Sequence, residues 1–139
     1  MFRRIVVGFD GSESSRKALL EALELARAFQ GGVHAVAVVR PPEFAELEGE
    51  VEGALNQAQA ALSEAFSWAR AAAHKHGVEL HLHRRVGHPA EVLMRYAEEC
   101  GADLVVLGRR GLTRVQRWML GSVSERVLRY APCPVMVVH

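Results

Sequence analysis

Apolar and polar positions along the chain follow two alternating periodicities. Largely apolar runs at 5–9, 33–39, 104–107 and 135–138 predict buried strands, because short runs of this kind are typical of parallel sheets. The segment 78–83 instead alternates apolar and polar residues. This alternation predicts a half-exposed strand at a sheet edge. Five strands are therefore expected.

The segments between these strands have the spacing of amphipathic helices. Ser12 or Ser14 can cap the first helix, and Pro89 suits the first turn of the third. The remaining helices are expected at about 51–75 and 121–130, with a polar, acidic loop before the long one.

Strands that alternate with helices favour a parallel sheet covered on both faces. We therefore predict one α/β domain over residues 1–139, a three-layer, doubly wound sheet with strand order 3-2-1-4-5 and helices on both faces. In this order the direction of winding reverses between the first and fourth strands. Ligands of such sheets bind in the crevice at that point.

Composition excludes some classes of partner. The chain has 139 residues, is 50% hydrophobic and carries a net charge of +1. Nucleic-acid and membrane binding usually need a strong basic excess, so neither is expected. No signal peptide and no apolar run long enough to span a bilayer are visible, which predicts a cytoplasmic protein. Cys100 and Cys133 have no metal-ligand spacing and are interpreted as reduced, buried residues.

The loop after the fourth strand carries the candidate chemistry. Gly108 and Gly111 begin it, and Gly121-Ser122 opens the helix that follows. Glycine lets a ligand approach the backbone closely, and the free N–H groups of a helix N-terminus suit phosphate. The same residues could instead be turn glycines and a helix cap. Their position at the predicted crevice favours phosphate binding.

The spacing Gly108-x2-Gly111-x9-Gly121-Ser122 resembles the ATP-binding signature of the universal stress protein family. The resemblance extends over the whole chain: the segments 5–12, 86–91, 103–108 and 132–138 are similar to the family's opening strand and turn, G-x-P turn, fourth strand and closing strand. It implies the adenine nucleotide alpha hydrolase-like fold and, because the glycine pattern is retained, the ATP-binding branch of the family.

The resemblance also implies roles for individual positions. Asp10 would lie at the adenosine end, and the backbone of Val38 or Val39 would meet the adenine edge. Gly108 and Gly111 would run beside ribose and phosphates. The outer phosphates and a divalent ion, Mg²⁺ or Mn²⁺, would lie against the start of the last helix. The full predicted nucleotide-binding set is Gly8, Asp10, Val38, Val39, Leu107, Gly108, Arg109, Gly111, Gly121, Ser122, Val123 and Ser124.

The implied function is that of an ATP-binding regulatory or stress-response module. The family commonly forms homodimers through its last strand, here 135–138. Arg109 and Arg110 are bulkier than the small polar pair often found at their positions. They could strengthen triphosphate binding or cover the empty site.

Three alternatives remain at this stage. A nucleotide-using enzyme is disfavoured because no Walker P-loop lysine and no acid–base pair is visible, so no catalytic residue is assigned and at most slow ATP hydrolysis is expected. A metal site at His81 and His83 is possible, since residues two apart on a strand point to one face. We interpret these histidines as the polar face of an edge strand. A dimeric interaction module without nucleotide is the third alternative.

Overall fold

A computed structural model of the chain describes residues 1–39, 48–109 and 122–139. Its centre is a five-stranded, wholly parallel sheet of order β3-β2-β1-β4-β5, so the predicted sheet and strand order are confirmed. The elements are β1 (Arg4–Gly8), α1 (Glu13–Phe29), β2 (Gly32–Val39), α2 (Glu48–His76), β3 (Leu80–Val86), α3 (Pro89–Cys100), β4 (Leu104–Gly108), α4 (Ser122–Tyr130) and β5 (Val135–Val138).

Local sequence signals account for the starts of α1 and α3. The Ser12 side chain accepts a hydrogen bond from the Ser15 N–H at 3.2 Å, which makes Ser12 rather than Ser14 the N-cap of α1. The helix ends at Phe29, and Gln30 takes the left-handed conformation with φ 57°. Pro89 lies in the first turn of α3, as predicted.

Two hydrophobic cores lie on opposite faces of the sheet. Helices α1 and α2 cover one face, and α3 and α4 cover the other. Strand β4 contributes alternately to both: Leu104 and Val106 point to the first core, Val105 and Leu107 to the second. A strand buried on both faces explains the unbroken apolar run.

The edge strands of the sheet are β3 and β5. The edge position of β3 is the one predicted from its alternation of apolar and polar residues. Cys100 and Cys133 are free thiols that are half-buried rather than buried as predicted, and burial raises the pKa of both. In the described part of the chain, no helix combines the length and apolar character needed to cross a membrane.

Candidate functional site

The carboxyl ends of β1 and β4 lie side by side at the predicted crevice. The last paired residues of the two strands are Val7 and Val106. One residue further, a Cβ on Gly8 would lie 2.8 Å from a methyl carbon of Leu107 and 3.1 Å from one of Leu93. A side chain at position 8 would therefore displace the ends of the Leu107 and Leu93 side chains that pack against β1.

Gly108 is constrained by the start of α1. A Cβ on Gly108 would lie 2.6 Å from the carbonyl carbon of Ser14. The Ser14 hydroxyl in turn donates a hydrogen bond to the Arg109 carbonyl at 2.6 Å. The reason for glycine here is thus the close approach of α1 to β4. Sequence reasoning missed Ser14 in this role, and the serines at 12, 14 and 15 were its only signal.

Asp10 forms the turn between β1 and α1. It is exposed, and its Oδ1 accepts a hydrogen bond from the Ser12 N–H at 2.9 Å. Gly11 follows with φ +85°, and a Cβ there would lie 2.7 Å from the Cβ of Ala65 on α2. The turn is therefore fixed by the Asp10–Ser12 hydrogen bond and by the close packing of Gly11 against α2, just beyond the end of β1.

At the end of β2, the main chains of Val38 and Val39 face opposite neighbouring strands. The Val39 carbonyl accepts a hydrogen bond from the Gly87 N–H at 3.0 Å, so the main chain of Val39 faces β3. Val36 faces the other way, because its carbonyl accepts from the Phe9 N–H at 3.0 Å. Main-chain groups of alternate residues point to opposite sides of a strand. The Val38 main chain therefore faces the β1 side of the sheet. At that level β1 has already ended, because the chain turns away at Asp10.

The first turn of α4 lies against the end of β4. Ser122 is exposed at the start of the helix, and Val123 packs against the second core. Ser124 is buried, and its hydroxyl donates to the Gly108 carbonyl at 3.2 Å. Of the two predicted serines, Ser122 alone is exposed for a ligand, whereas Ser124 joins α4 to β4.

Arg109 continues the β4–β5 ladder. Its N–H donates to the Val138 carbonyl at 2.9 Å, and its guanidinium lies 3.1 Å from Nδ1 of His139. This contact directs the side chain towards the end of β5. The remaining predicted positions, Gly111 and Gly121, lie outside the described residues, as does Arg110.

The structure thus brings together the ends of β1, β2 and β4 with the N-terminus of α4, which is where the sequence placed the site. Main-chain groups and small residues are its predicted lining: Gly8, Gly108, the turn at Asp10 and the backbone of Val38. Such a surface can take the flat edge of a base and the hydroxyls of a ribose. This arrangement defines a doubly wound α/β protein whose candidate site lies at the switch point of the sheet.

Comparison with known proteins places the chain within that class. The model of the universal stress protein family matches residues 1–139. Universal stress protein MJ0531 of Methanocaldococcus jannaschii is 36% identical over 140 residues, covering 99% of this chain and 82% of the relative. The chain belongs to the universal stress protein family.

Solved structures agree with this assignment. The universal stress protein UspA from Lactobacillus plantarum superposes with a TM-score of 0.86 at 26% identity, covering 99% of this chain and 98% of that one. A universal stress protein in complex with cAMP superposes with a TM-score of 0.73 at 30% identity, covering 99% and 97%. The fold inferred from the resemblance is therefore confirmed.

Proposed function

We propose that the chain binds an adenine nucleotide, ATP with Mg²⁺ before others, in the crevice between the ends of β1, β2 and β4. Binding would serve a regulatory role in the cytoplasm rather than rapid catalysis. The family membership supports the nucleotide class, and the cAMP complex of a 30% identical relative supports the adenosine part.

The main chain of Val38 is the observation that carries this proposal. Its N–H and C=O face the space that β1 vacates after Phe9. An adenine ring presents a ring-nitrogen acceptor beside an exocyclic amino donor, which complements one backbone N–H and one C=O. Val39 cannot take the same role because its carbonyl is bonded to Gly87. Val38 is therefore the better candidate of the two.

The remaining contacts follow from this placement. The Asp10 carboxylate, just beyond the end of β1, would accept hydrogen bonds from the ribose hydroxyls. The α4 N-terminus and the exposed Ser122 hydroxyl would meet the outer phosphates. Mg²⁺ would be held chiefly by phosphate oxygens, as is usual for this ion, with Ser122 as a protein ligand. Gly111 and Gly121 would complete the phosphate loop.

The experiment is titration calorimetry with ATP and Mg²⁺, together with mass spectrometry of small molecules released from the purified protein. The key variant is Val38→Pro, which removes one N–H from the crevice. Because that N–H faces away from β3, the variant should still fold. Its affinity should fall by roughly fivefold or more, about 1 kcal/mol.

Val39→Pro is the matched control. Its missing N–H faces β3, so it should lower the free energy of unfolding instead. Equal ATP affinity of wild type and Val38→Pro would reject the adenine contact. An absence of any bound or titratable nucleotide would reject the proposed function.

The edge strand β5 supports a second proposal, a homodimer. Its inner side pairs with β4 over Val135–Val138, and its outer side has no strand partner within the described chain. An unpaired edge is a template for pairing with another strand. A second copy of the chain is the occupant that the family resemblance implies, and it would pair edge to edge.

A further inference from the structure

Three histidines and a tyrosine meet between α3 and the edge of the sheet. His34 on β2 is the register partner of His81 on β3, and His83 points to the same face two residues further. The His34 ring stacks on both, with centroid distances of 4.6 Å to His81 and 5.5 Å to His83. Tyr96 of α3 closes the group. This site is distinct from the crevice, since His34 precedes Val38 by four residues, about 13 Å along a strand.

Three electron-pair donor atoms converge in this cluster. Nδ1 of His34 and Nε2 of His83 are 3.3 Å apart. The Tyr96 hydroxyl oxygen lies 2.9 Å from the first nitrogen and 2.7 Å from the second. Two imidazole nitrogens bound to one tetrahedral Zn²⁺ at their usual bond length are themselves about 3.3 Å apart. The two rings are thus already at the spacing of a metal-bound pair.

Both imidazoles are partly buried and have cationic neighbours. Burial, reinforced by these neighbours, lowers the pKa of His34 and of His83. The neighbours on each side are Arg4 of β1, His81 and Arg85 of β3, and Glu79, which opposes the lowering at His34.

The cluster borders an open cavity on the His34 side. The cavity, of about 350 Å³ at the amino ends of the strands, is lined by His34 and His81 together with Arg3, Arg4, Gly32, Glu79 and Cys100, whereas His83 and Tyr96 do not line it. His81 is held apart from the donor triangle, because its Nε2 lies 3.0 Å from a carboxylate oxygen of Glu79. The cavity has room for water to complete the coordination of a bound ion.

We propose that Nδ1 of His34 and Nε2 of His83 bind one divalent ion of the zinc class. Within the described residues, no three His, Cys, Asp or Glu side chains are placed to hold a metal ion. The Tyr96 oxygen, which lies 2.9 and 2.7 Å from the two nitrogens, is the third protein donor, and water would fill the open position. A phenol oxygen is a weaker ligand for such an ion than an imidazole nitrogen.

The test titrates untagged, chelator-treated protein with Zn²⁺ by calorimetry and follows Co²⁺ by visible absorption. Wild type should bind one ion per chain. His34→Gln and His83→Gln should each weaken binding by about tenfold or more, and Tyr96→Phe by less. His88→Gln is the matched control and should bind as wild type does, because that side chain is exposed and makes no cap hydrogen bond.

A second measurement uses wild type alone, so the proposal can be tested even if the variants do not fold. Small amounts of Cu²⁺ should broaden the NMR ring signals of His34 and His83 before those of the other histidines. Zn²⁺ that binds wild type and His83→Gln equally, or broadening that begins at another histidine, would overturn the site. So would an absence of stoichiometric binding to wild type.

Discussion

At the scale of single residues, the crevice is built by glycines whose neighbours lie far away in sequence. A Cβ on Gly108 would overlap the backbone of Ser14 on α1. A Cβ on Gly32 of β2 would come no closer than 3.6 Å to a non-neighbouring atom, the Glu79 carbonyl oxygen. The same substitution therefore has different consequences at the two positions. Gly32 therefore serves as a control for the packing role of Gly108.

Gly108→Ala should destabilise the protein by about 1–3 kcal/mol, because the new methyl group overlaps the backbone of α1. Gly32→Ala, the control, should change stability by less than about 1 kcal/mol. Urea unfolding without nucleotide measures both. Equal unfolding midpoints for the two variants would contradict the packing role of Gly108.

Asp10 allows a turn function to be separated from a ligand function. Asp10→Asn keeps an oxygen that can accept from the Ser12 N–H but removes the charge. If the carboxylate accepts from ribose hydroxyls, ATP affinity should fall by about tenfold or more while thermal stability stays near wild type. Calorimetry measures the ATP affinity, and a melting curve measures the thermal stability. Unchanged ATP affinity would show that the Asp10 carboxylate does not bind the ribose and acts only in the turn.

At the scale of elements, the two sides of β5 differ. The Pro134 carbonyl accepts from the N–H of Val105 in β4, and the Val138 carbonyl accepts from the N–H of Arg109, the residue after β4. The main chain of Val137 therefore faces outwards. Proline at 137 removes an outward N–H, whereas proline at 136 removes an inward one.

Val137→Pro should therefore weaken an edge-to-edge dimer and leave the fold of the protomer intact. Met136→Pro should lower the stability of the protomer itself. Sedimentation analysis gives the mass in solution, and unfolding curves give the stability. A dimer that survives Val137→Pro unchanged would place the interface elsewhere.

At the scale of the whole molecule, the histidine cluster makes stability depend on pH. Burial first, and then neighbouring cationic groups, hold the pKa of His34 and His83 below the ordinary value of about 6.5. The unfolded chain then binds more protons than the folded one. The stability that comes from the neutral histidines is fully present above about pH 6.5. It is lost as the pH falls through the lowered pKa values of His34 and His83.

Urea unfolding between pH 7.5 and about 5 with a chelator present should show this loss. Removing one titrating ring in His83→Gln should make the pH dependence shallower. His88→Gln, whose ring lies outside the cluster, should keep the wild-type slope. Identical slopes in all three proteins would assign the pH dependence to other groups.

The sequence by itself determined the order and type of the elements, because periodicity, caps and turn glycines act within a few residues. The edge position of β3, the helix start at Pro89 and the location of the crevice follow from such local signals and from the topology rules of parallel sheets. The family resemblance added the class of ligand. These features can be predicted without knowing which side chains are in contact.

Only the tertiary structure decided the contacts between distant parts of the chain. Ser14 and Arg109 are 95 residues apart, and their hydrogen bond links α1 to β4 and explains Gly108. The choice of Val38 over Val39 depends on which neighbour strand each main chain faces, and a one-residue change of register would reverse it. His34 and Tyr96 join His83 because register and helix packing place them together, and no local pattern encodes that distance.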